Sequence, residues 1–455
     1  MSSARTLLLA VALLGCSKTN TNFCEGRNPN DNCSEPPVDG TDLPTACTKD
    51  EQCMNVADKH VCDTSGAEGV CVECLPGRAA SCDGAKPVCD GGTKSCVGCT
   101  AHAQCIDSEA CLPTGACADA AEVAYARPGG TGTECTKADP CGTLDDAIDA
   151  NRTFIKVVAS GGAPLRDTNT TTIDGKTLTI LADPGVRMDI GVVDKTVLEI
   201  KNNANVQIYD LTIAGSAGVG GNAHGIALTS GVPTVRLERV GVVDNAGGAG
   251  ITVLGGNLTV RRSLFSNNRG TGAIVASGGA TIDVQDSTFA QNLGGGIRTD
   301  TNVLYKIVNN FIYRNGTDAT SAYGGASLGN LAVATNRFEF NTVVDNRAAL
   351  GAGGVVCQLP AFAAPNNIVA RNFVANSATP TNQTTAAGCT FPTSRVQADV
   401  AGLAFTSPDT APFNYKIGAG STAIDQAANA DITVDFEGDV RPSGNGKDIG
   451  ADELN

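Results

Sequence analysis

The sequence predicts an all-β protein: a right-handed parallel β-helix preceded by a small disulfide-rich region. Three observations point there. The first is composition. Gly accounts for 54 of 455 residues, Trp is absent and aromatics are only 4%. A thin core of stacked small aliphatics, turned often by Gly and Asn, suits that composition better than a globular core rich in aromatic volume. The second is an internal repeat of about 23 residues. The third is the placing of 19 cysteines, most of them gathered before the repeats begin.

The repeat is legible without gaps in four copies. They are VRLERVGVVDN (235–245), LTVRRSLFSNN (258–268), IDVQDSTFAQN (282–292) and YKIVNNFIYRN (305–315). The closing residues Asn245, Asn268, Asn292 and Asn315 are 23, 24 and 23 apart, and weaker copies close at Asn346 and Asn372. A second strand recurs from Gly225, Gly250, Gly272 and Gly296. Period-2 alternation sends every other side chain inward. It predicts the stacks Val235/Leu258/Ile282/Tyr305, Leu237/Val260/Val284/Ile307 and Val242/Phe265/Phe289/Ile312. Rungs about 4.8 Å apart let like side chains pack in ladders. The recurring Asn is expected to take the left-handed backbone after a strand and to bond its own ladder. A leucine-rich repeat would need Leu at fixed offsets and a helical half, and neither is present.

Ahead of the repeats, the chain opens MSSARTLLLAVALLGC. Arg5 precedes an apolar run of eight, Leu7 to Leu14. That run is too short to span a bilayer but suits a signal-peptide core. Its end, Leu13-Leu14-Gly15-Cys16, resembles the bacterial lipoprotein signal. The resemblance implies a signal peptide over 1–15, acylation of Cys16 and attachment through that lipid to a membrane, at the outer membrane or cell surface. An ordinary signal peptide with a chance Cys is the alternative. Lipidation of Cys16 would leave an even number of cysteines for an oxidising compartment.

Residues 16–46 are polar and rich in Asn, Pro and Asp, and read as a flexible tether. Residues 47–119 hold twelve cysteines in three units of four: Cys47, Cys53, Cys62, Cys71; Cys74, Cys82, Cys89, Cys96; and Cys99, Cys105, Cys111, Cys117. Almost no apolar residue lies between them, so these units need covalent staples. Zinc is the other use of C-x-x-C pairs, but an exported chain meets oxidants, and the partner spacing of a zinc ribbon is missing. Four cysteines allow three connectivities per unit, and spacing does not choose among them. The region reads as a stiff stalk, or alternatively as a small binding module.

The β-helix is expected over 120–455. Its first segment, YARPGGTGTECTKADPCGTLDDAIDA (125–150), resembles the opening of pectin-lyase-like β-helix proteins. Cys135 and Cys141 are close enough to clip one loop. Thr143 is a suitable N-cap for a short helix over about 144–150 that would cover the open end of the stack. Residues 376–420 read as irregular, and Cys357 and Cys389 are expected to pair and tie that segment to a rung. The C-terminus carries Ile424-Asp425, Asp439, Arg441-Pro442 and Asp448-Ile449-Gly450-Ala451. These resemble the closing motif of bacterial surface β-helix proteins with variable anchors.

Charge bounds the partners. A net charge of −15 with pI near 4.6 argues against nucleic acid, which needs a basic face, and against loose binding to anionic lipid. Right-handed β-helix enzymes act on acidic polysaccharides with clustered carboxylates, calcium and a Lys or Arg base, or with paired Asp as acid and base. Here one outward stripe is Arg236, Thr259, Asp283, Lys306 and its neighbour is Glu238, Arg261, Gln285, Val308. Neither gathers two carboxylates on adjacent rungs, and alternating charge reads as a solvated face. Arg298 and Asp300 follow the bare Gly294-Gly295-Gly296, with Arg314 and Asp318 expected one rung on. These suggest a groove for a sugar chain, or else routine ion pairs at a loop edge. His224 reads as a turn residue, and Ala223-His224-Gly225 is only the nearest approach to the Gly-His-Gly of the hydrolases. Asp431, Asp435, Asp439 and Asp448 crowd the C-terminus and offer oxygen donors for calcium, though their spacing alone does not make a site. No catalytic or metal-ligating residue is assigned. The expected function is a lipid-anchored surface protein that presents a β-helix for glycan or cell-surface binding and adhesion, without catalysis. The alternative, a polysaccharide lyase or glycoside hydrolase, rests on fold-level analogy.

Overall fold

The computed structural model describes residues 46–78, 82–218, 221–317, 319–329, 335–358, 362–375, 377–381, 383–385 and 388–455. The signal segment, Cys16, most of the tether and Asp318 lie outside them. The chain divides into two compact units. One comprises the described residues through Cys82 with Cys89–Cys96, and the other Asp83–Val88 with Val97–Asn455.

The first unit has disulfides where a larger domain has a hydrophobic core. Cys47, Cys53, Cys62 and Cys71 are its buried cluster, against which Val56 packs. An antiparallel hairpin of Val61–Asp63 and Val70–Val72 carries two of them. The pairing is crossed: Cys47–Cys62 and Cys53–Cys71, then Cys74–Cys89 and Cys82–Cys96. The same first-to-third, second-to-fourth pattern recurs in Cys99–Cys111 and Cys105–Cys117. That third group of four belongs to the second unit, so the break falls inside the cysteine array and not at its end. Ala110 and Ala118 of this group pack with Val123, Tyr125, Leu181 and Tyr209, and Tyr125 donates its hydroxyl to Ser108 O at 2.8 Å. Apolar burial replaces further staples there.

Among the described residues, the second unit is a parallel β-solenoid of three sheets with nine, ten and eight strands. Sheet one runs from Val123–Ala126 to Arg337–Glu339, sheet two from Leu165–Asp167 to Arg395–Gln397, and sheet three from Thr171–Asp174 to Val355–Cys357. The stacks expected from alternation are in register. Val235 pairs Leu258, Leu258 pairs Ile282, and Ile282 pairs Tyr305, all buried. Phe265 and Phe289 stack with ring centroids 4.7 Å apart. Helix α1, Leu144–Asp149, buries Leu144, Ala147 and Ile148 in the same core, with the Thr143 side chain accepting from Asp146 N at 3.1 Å. Cys135 is bonded to Cys141, and Cys357, on a sheet-three strand, to Cys389.

Two buried side-chain ladders flank sheet two. In the first, Nδ2 of Asn245, Asn268, Asn292, Asn315 and Asn346 each donates to the Oδ1 of the next Asn at 2.8–3.0 Å, and Asn372 ends the run on Gln383 Oε1. Each of those oxygens also accepts the backbone N–H of the preceding ladder residue. The second ladder runs five residues before the first at Ser263, Ser287, Asn310, Asn341 and Asn367, and ends on Ser394. It was not anticipated from the repeat. The left-handed residue also differs from expectation. It is the one just before each ladder Asn: Asp244, Asn267, Gln291, Arg314, Asp345 and Arg371, at φ 47 to 59. The ladder Asn must turn inward, so the residue that reverses the chain is its outward-facing predecessor.

The segment read as irregular carries short strands at Cys389–Thr390 and Arg395–Gln397, then a hairpin of Phe405–Ser407 with Asn414–Ile417. Leu403, Phe405, Tyr415, Ile417, Ile449 and Ala451 form a second core over the outer side of sheet two, with Phe311, Val344, Ile368 and Ala370. The C-terminus therefore covers the later rungs of sheet two. No helix among the described residues is long and apolar enough to cross a membrane.

Candidate functional site

The outward face of sheet one is the long face the repeats build. Its two stripes are in register as expected: Arg236, Thr259, Asp283, Lys306 and Glu238, Arg261, Gln285, Val308. Charge on it is tightly paired. Glu238 accepts from Arg236 at 2.7 Å and Arg239 at 3.3 Å, and also pairs with Arg262. Burial pushes that carboxyl up, but the Arg236 and Arg262 hydrogen bonds outweigh it and hold it below the usual range. Asp283 is bonded to Arg261 at 2.6 Å. Glu339 pairs with Arg337, although burial still raises its pKa. The expectation of a solvated face fails at two positions of the second stripe: Glu238 is buried beneath its arginines, and Val308 is covered by Phe340 and Ile432. The C-terminal segment supplies Ile432, and the repeat alone could not show this.

At the early rungs a pocket of about 510 Å³ opens beside this face, lined in part by His102, Asp183, Tyr209, Asp210 and Arg239. Its polar groups are held by neighbouring side chains or by backbone, with the Tyr209 hydroxyl donating to Gln207 Oε1 at 2.7 Å. Lys156, buried next to it, pairs with Asp183, and burial lowers its pKa. His102 Nδ1 accepts Cys111 N–H at 3.1 Å, and burial, then the Lys156 charge, lower the His102 pKa. Arg239 forks onto Asp210 at 2.7 and 2.8 Å. His224 is part-buried, its Nδ1 accepting Ala249 N–H at 3.0 Å, as a turn residue would.

The structure does not bring Arg298, Asp300 and Arg314 together as one groove. Arg298 forks onto Asp300 of its own strand at 2.8 and 3.2 Å. The glycine floor beside them is occupied: Tyr323 is buried across it, and a Cβ on Gly295 would fall 2.5 Å from its ring. The glycines make room for Tyr323, not for a sugar. Arg314 instead sits at the turn between sheets two and three, lining a pocket of about 370 Å³ with Gly316, Asp345, Arg347, Arg371, Phe373 and Asp409. Arg314 Cζ lies 3.8 Å over the Phe413 ring, and Arg347 Cζ lies 4.2 Å over Phe373. Arg371 bonds Asp345 through Nε and Nη2 at 2.6 and 2.8 Å and Asp409 through Nη1 at 2.6 Å, which raises its pKa. Tyr415 donates its hydroxyl to Asp345 at 2.6 Å. An adjoining cleft of about 470 Å³ is lined by Phe311, Tyr313, Phe413, Tyr415 and Phe436 among others. A signal for part of this existed: Arg314, Asp345 and Arg371 each immediately precede a ladder Asn, so they stack. Phe413, Tyr415 and Asp409 come from the hairpin, which has no repeat to reveal it.

The acidic C-terminus closes turns. Asp435 Oδ1 accepts the N–H groups of Glu437, Gly438 and Asp439 at 2.9–3.0 Å, and its Oδ2 that of Glu453. Asp448 accepts from Asp425 N and Leu454 N, and Asp431 from Arg337. Buried Arg441 bonds Glu453 at 3.0 Å and the carbonyls of Asp448 and Gly450 at 2.8 Å. Among the described residues, the carboxylates that gather are Asp435, Glu437 and Asp452, of which only Asp435 was expected, and Lys416 pairs with Glu437 there.

With this geometry in view, comparison with known proteins adds the following. The family described as "Right handed beta helix region" matches residues 196–390. A crystal structure of pectate lyase Pel9A is similar at a TM-score of 0.51 and 14% identity, covering 73% of this chain and 96% of that one. No curated protein matches the chain significantly. The second unit is thus a right-handed parallel β-helix with the pectin-lyase-like fold, built on the 23-residue repeat and closed over sheet two by its own C-terminus.

Proposed function

We propose that the protein is a cell-surface lipoprotein, anchored through Cys16, whose β-helix binds a glycan or other cell-surface polymer and holds it without cleaving it. One observation carries this reading. The carboxylates Glu238, Asp283 and Glu339 on the outward face of sheet one are each bonded to Arg. A metal-assisted lyase needs carboxylates open to the cation, and a glycosidase needs an acid and a base free to reach the scissile bond. A face of closed ion pairs presents instead a periodic array of polar groups, suited to a repeating polymer. The lipoprotein part rests on the motif ending Gly15-Cys16, and the surface role on the closing motif around Arg441-Pro442 and Asp448-Ile449-Gly450-Ala451.

The test incubates residues 17–455 with acidic and neutral polysaccharides, with and without calcium. Retention is read on a glycan array, and product as new reducing ends and unsaturated uronate absorbance. Retention without product is expected. Steady release of either product would overturn the reading in favour of a lyase or hydrolase.

A further inference from the structure

The outer face of sheet two is built differently from that of sheet one. Its outward columns Thr212, Gly241, Leu264, Thr288, Phe311 and Ala214, Val243, Ser266, Ala290, Tyr313 run in register from rung to rung. Not one of these residues is charged, in a chain of net charge −15. The C-terminal cover begins on the last of these rungs, and at its margin lies the cleft of about 470 Å³. Of the chain's 13 Phe and 6 Tyr, five line it: Phe311, Tyr313, Phe413, Tyr415 and Phe436. Packing fixes their positions. Phe311 and Phe436 meet edge-on with centroids 4.8 Å apart, and Tyr313 and Tyr415 lie 4.9 Å apart. Tyr313, Phe413 and Phe436 keep part of their surface exposed, as do Thr288 and Asn414 of the same lining. Among the described residues, the hydroxyls of Tyr313 and Thr288 and the Nδ2 of Asn414 have no protein hydrogen-bond partner, whereas Asn414 Oδ1 accepts Lys416 N–H at 2.9 Å. The Lys416 ammonium is paired with Glu437.

We propose that this cleft is a binding subsite for an uncharged glycan. A sugar ring packs against the exposed aromatic surface, its hydroxyls bond Tyr313, Thr288 and Asn414, and the chain continues along the outward columns toward Thr212. Rings set beside open donors and acceptors match a ligand that is apolar on its faces and polar around its edge. An acidic glycan would find Lys416 already paired. A docking peptide strand needs an open sheet edge. The strands beneath the cleft, Thr288–Ala290 and Phe311–Tyr313, are paired on both sides. That the ligand is a glycan rests on the glycan-binding reading above; the cleft and its lack of free charge do not.

The experiment titrates the full chain with cello-, manno- and N-acetylated chito-oligosaccharides as uncharged probes and oligogalacturonate as the acidic one. Binding is read by calorimetry and by tyrosine emission, which no Trp masks. Wild type is compared with Thr288→Arg, which fills the cleft without removing a ring, with Tyr313→Phe, which removes one hydroxyl, and with Arg298→Gln on sheet three. At least one uncharged probe is expected to bind and to shift the emission. Its affinity should fall about tenfold or more in Thr288→Arg and about threefold or more in Tyr313→Phe, with Arg298→Gln as wild type. Affinity within about twofold of wild type in both cleft variants overturns the subsite and leaves glycan binding standing. Oligogalacturonate bound in place of the uncharged probes, and lost with the same variants, overturns the uncharged assignment. If wild type retains none of the four probes, the glycan reading falls and this assignment with it. A wild type that sediments as a dimer, with Thr288→Arg a monomer, assigns the cleft to a second copy and overturns the proposal. Should Thr288→Arg melt below wild type, Ser266→Arg, one rung away on the same face, is read in its place. Unweakened binding by it and by Tyr313→Phe overturns the proposal.

Discussion

Asp452 shows how much a single residue's chemistry depends on what folds over it. Its side chain is buried, accepting Ile417 N–H at 2.9 Å, and burial, then the Glu437 charge, push its pKa up to about 7 from 3.8. Between those values the folded chain holds a proton that the unfolded chain has lost. Stability from this group therefore increases as pH falls from about 7 toward about 4, and is lost as pH rises through about 7. Asp452→Asn keeps an acceptor for Ile417 and removes the charge. It should melt above wild type at pH 8 and show a flatter melting profile between pH 5 and pH 8, read by calorimetry. A variant whose profile parallels wild type would show that Asp452 does not titrate in that range. The closing motif beside it, Asp448-Ile449-Gly450-Ala451, does not show that Asp452 is buried. Its partners Ile417 and Glu437 are 35 and 15 residues away along the chain. The ladder asparagines were different: a polar residue recurring at fixed phase inside an apolar pattern is itself the signal. Only their backbone conformation was misplaced, by one residue, because period-2 logic does not say which of two adjacent turn residues reverses the chain.

At the scale of elements, the ladders do what caps and staples do elsewhere. Asn292 is fully buried. Its Nδ2 donates to Asn315 Oδ1 at 2.8 Å and to Phe265 O at 3.0 Å, and its Oδ1 accepts from Asn268 twice. Asn292→Ala orphans donors and acceptors on three rungs. It should cost about 2–4 kcal/mol in urea unfolding, against less than about 0.5 kcal/mol for the exposed neighbour Gln291→Ala. Equal effects of the two would mean that the ladder contributes no stability. The second ladder keeps a constant offset of five residues before the first, from Ser263 to Asn367. It is harder to read because two residue types, Ser and Asn, share it, and what recurs is hydrogen-bonding capacity rather than residue identity. Likewise the stack Val242/Phe265/Phe289/Ile312 was readable, whereas the hairpin of Phe405–Ser407 with Asn414–Ile417 was not, having no second copy to align.

For the molecule as a whole, the proposed anchor makes its own prediction. Cells expressing the chain with a palmitate label should incorporate it, and Cys16→Ala should abolish both the label and recovery of the protein with membranes. Label retained by the variant would remove Cys16 as the lipid site. Within the chain, the sequence alone determined the parallel β-helix, its core stacks and the use of cysteines as a substitute core in the first unit. Those features follow from periodicity and composition, which are local and repeat. It did not determine the disulfide partners within residues 47–119, the break after the second cysteine unit, the burial of Val308, or the separation of Arg314 from Arg298 and Asp300, although the pairs Cys135–Cys141 and Cys357–Cys389 were legible in it. Each depends on which non-repeating segment packs where: Ala110 and Ala118 on the early rungs, Ile432 over Val308, Tyr323 over Gly295, Phe413 under Arg314. A repeat specifies its own stacking because every rung meets a near copy of itself. A segment that occurs once has no such copy, and only tertiary packing decides what it covers.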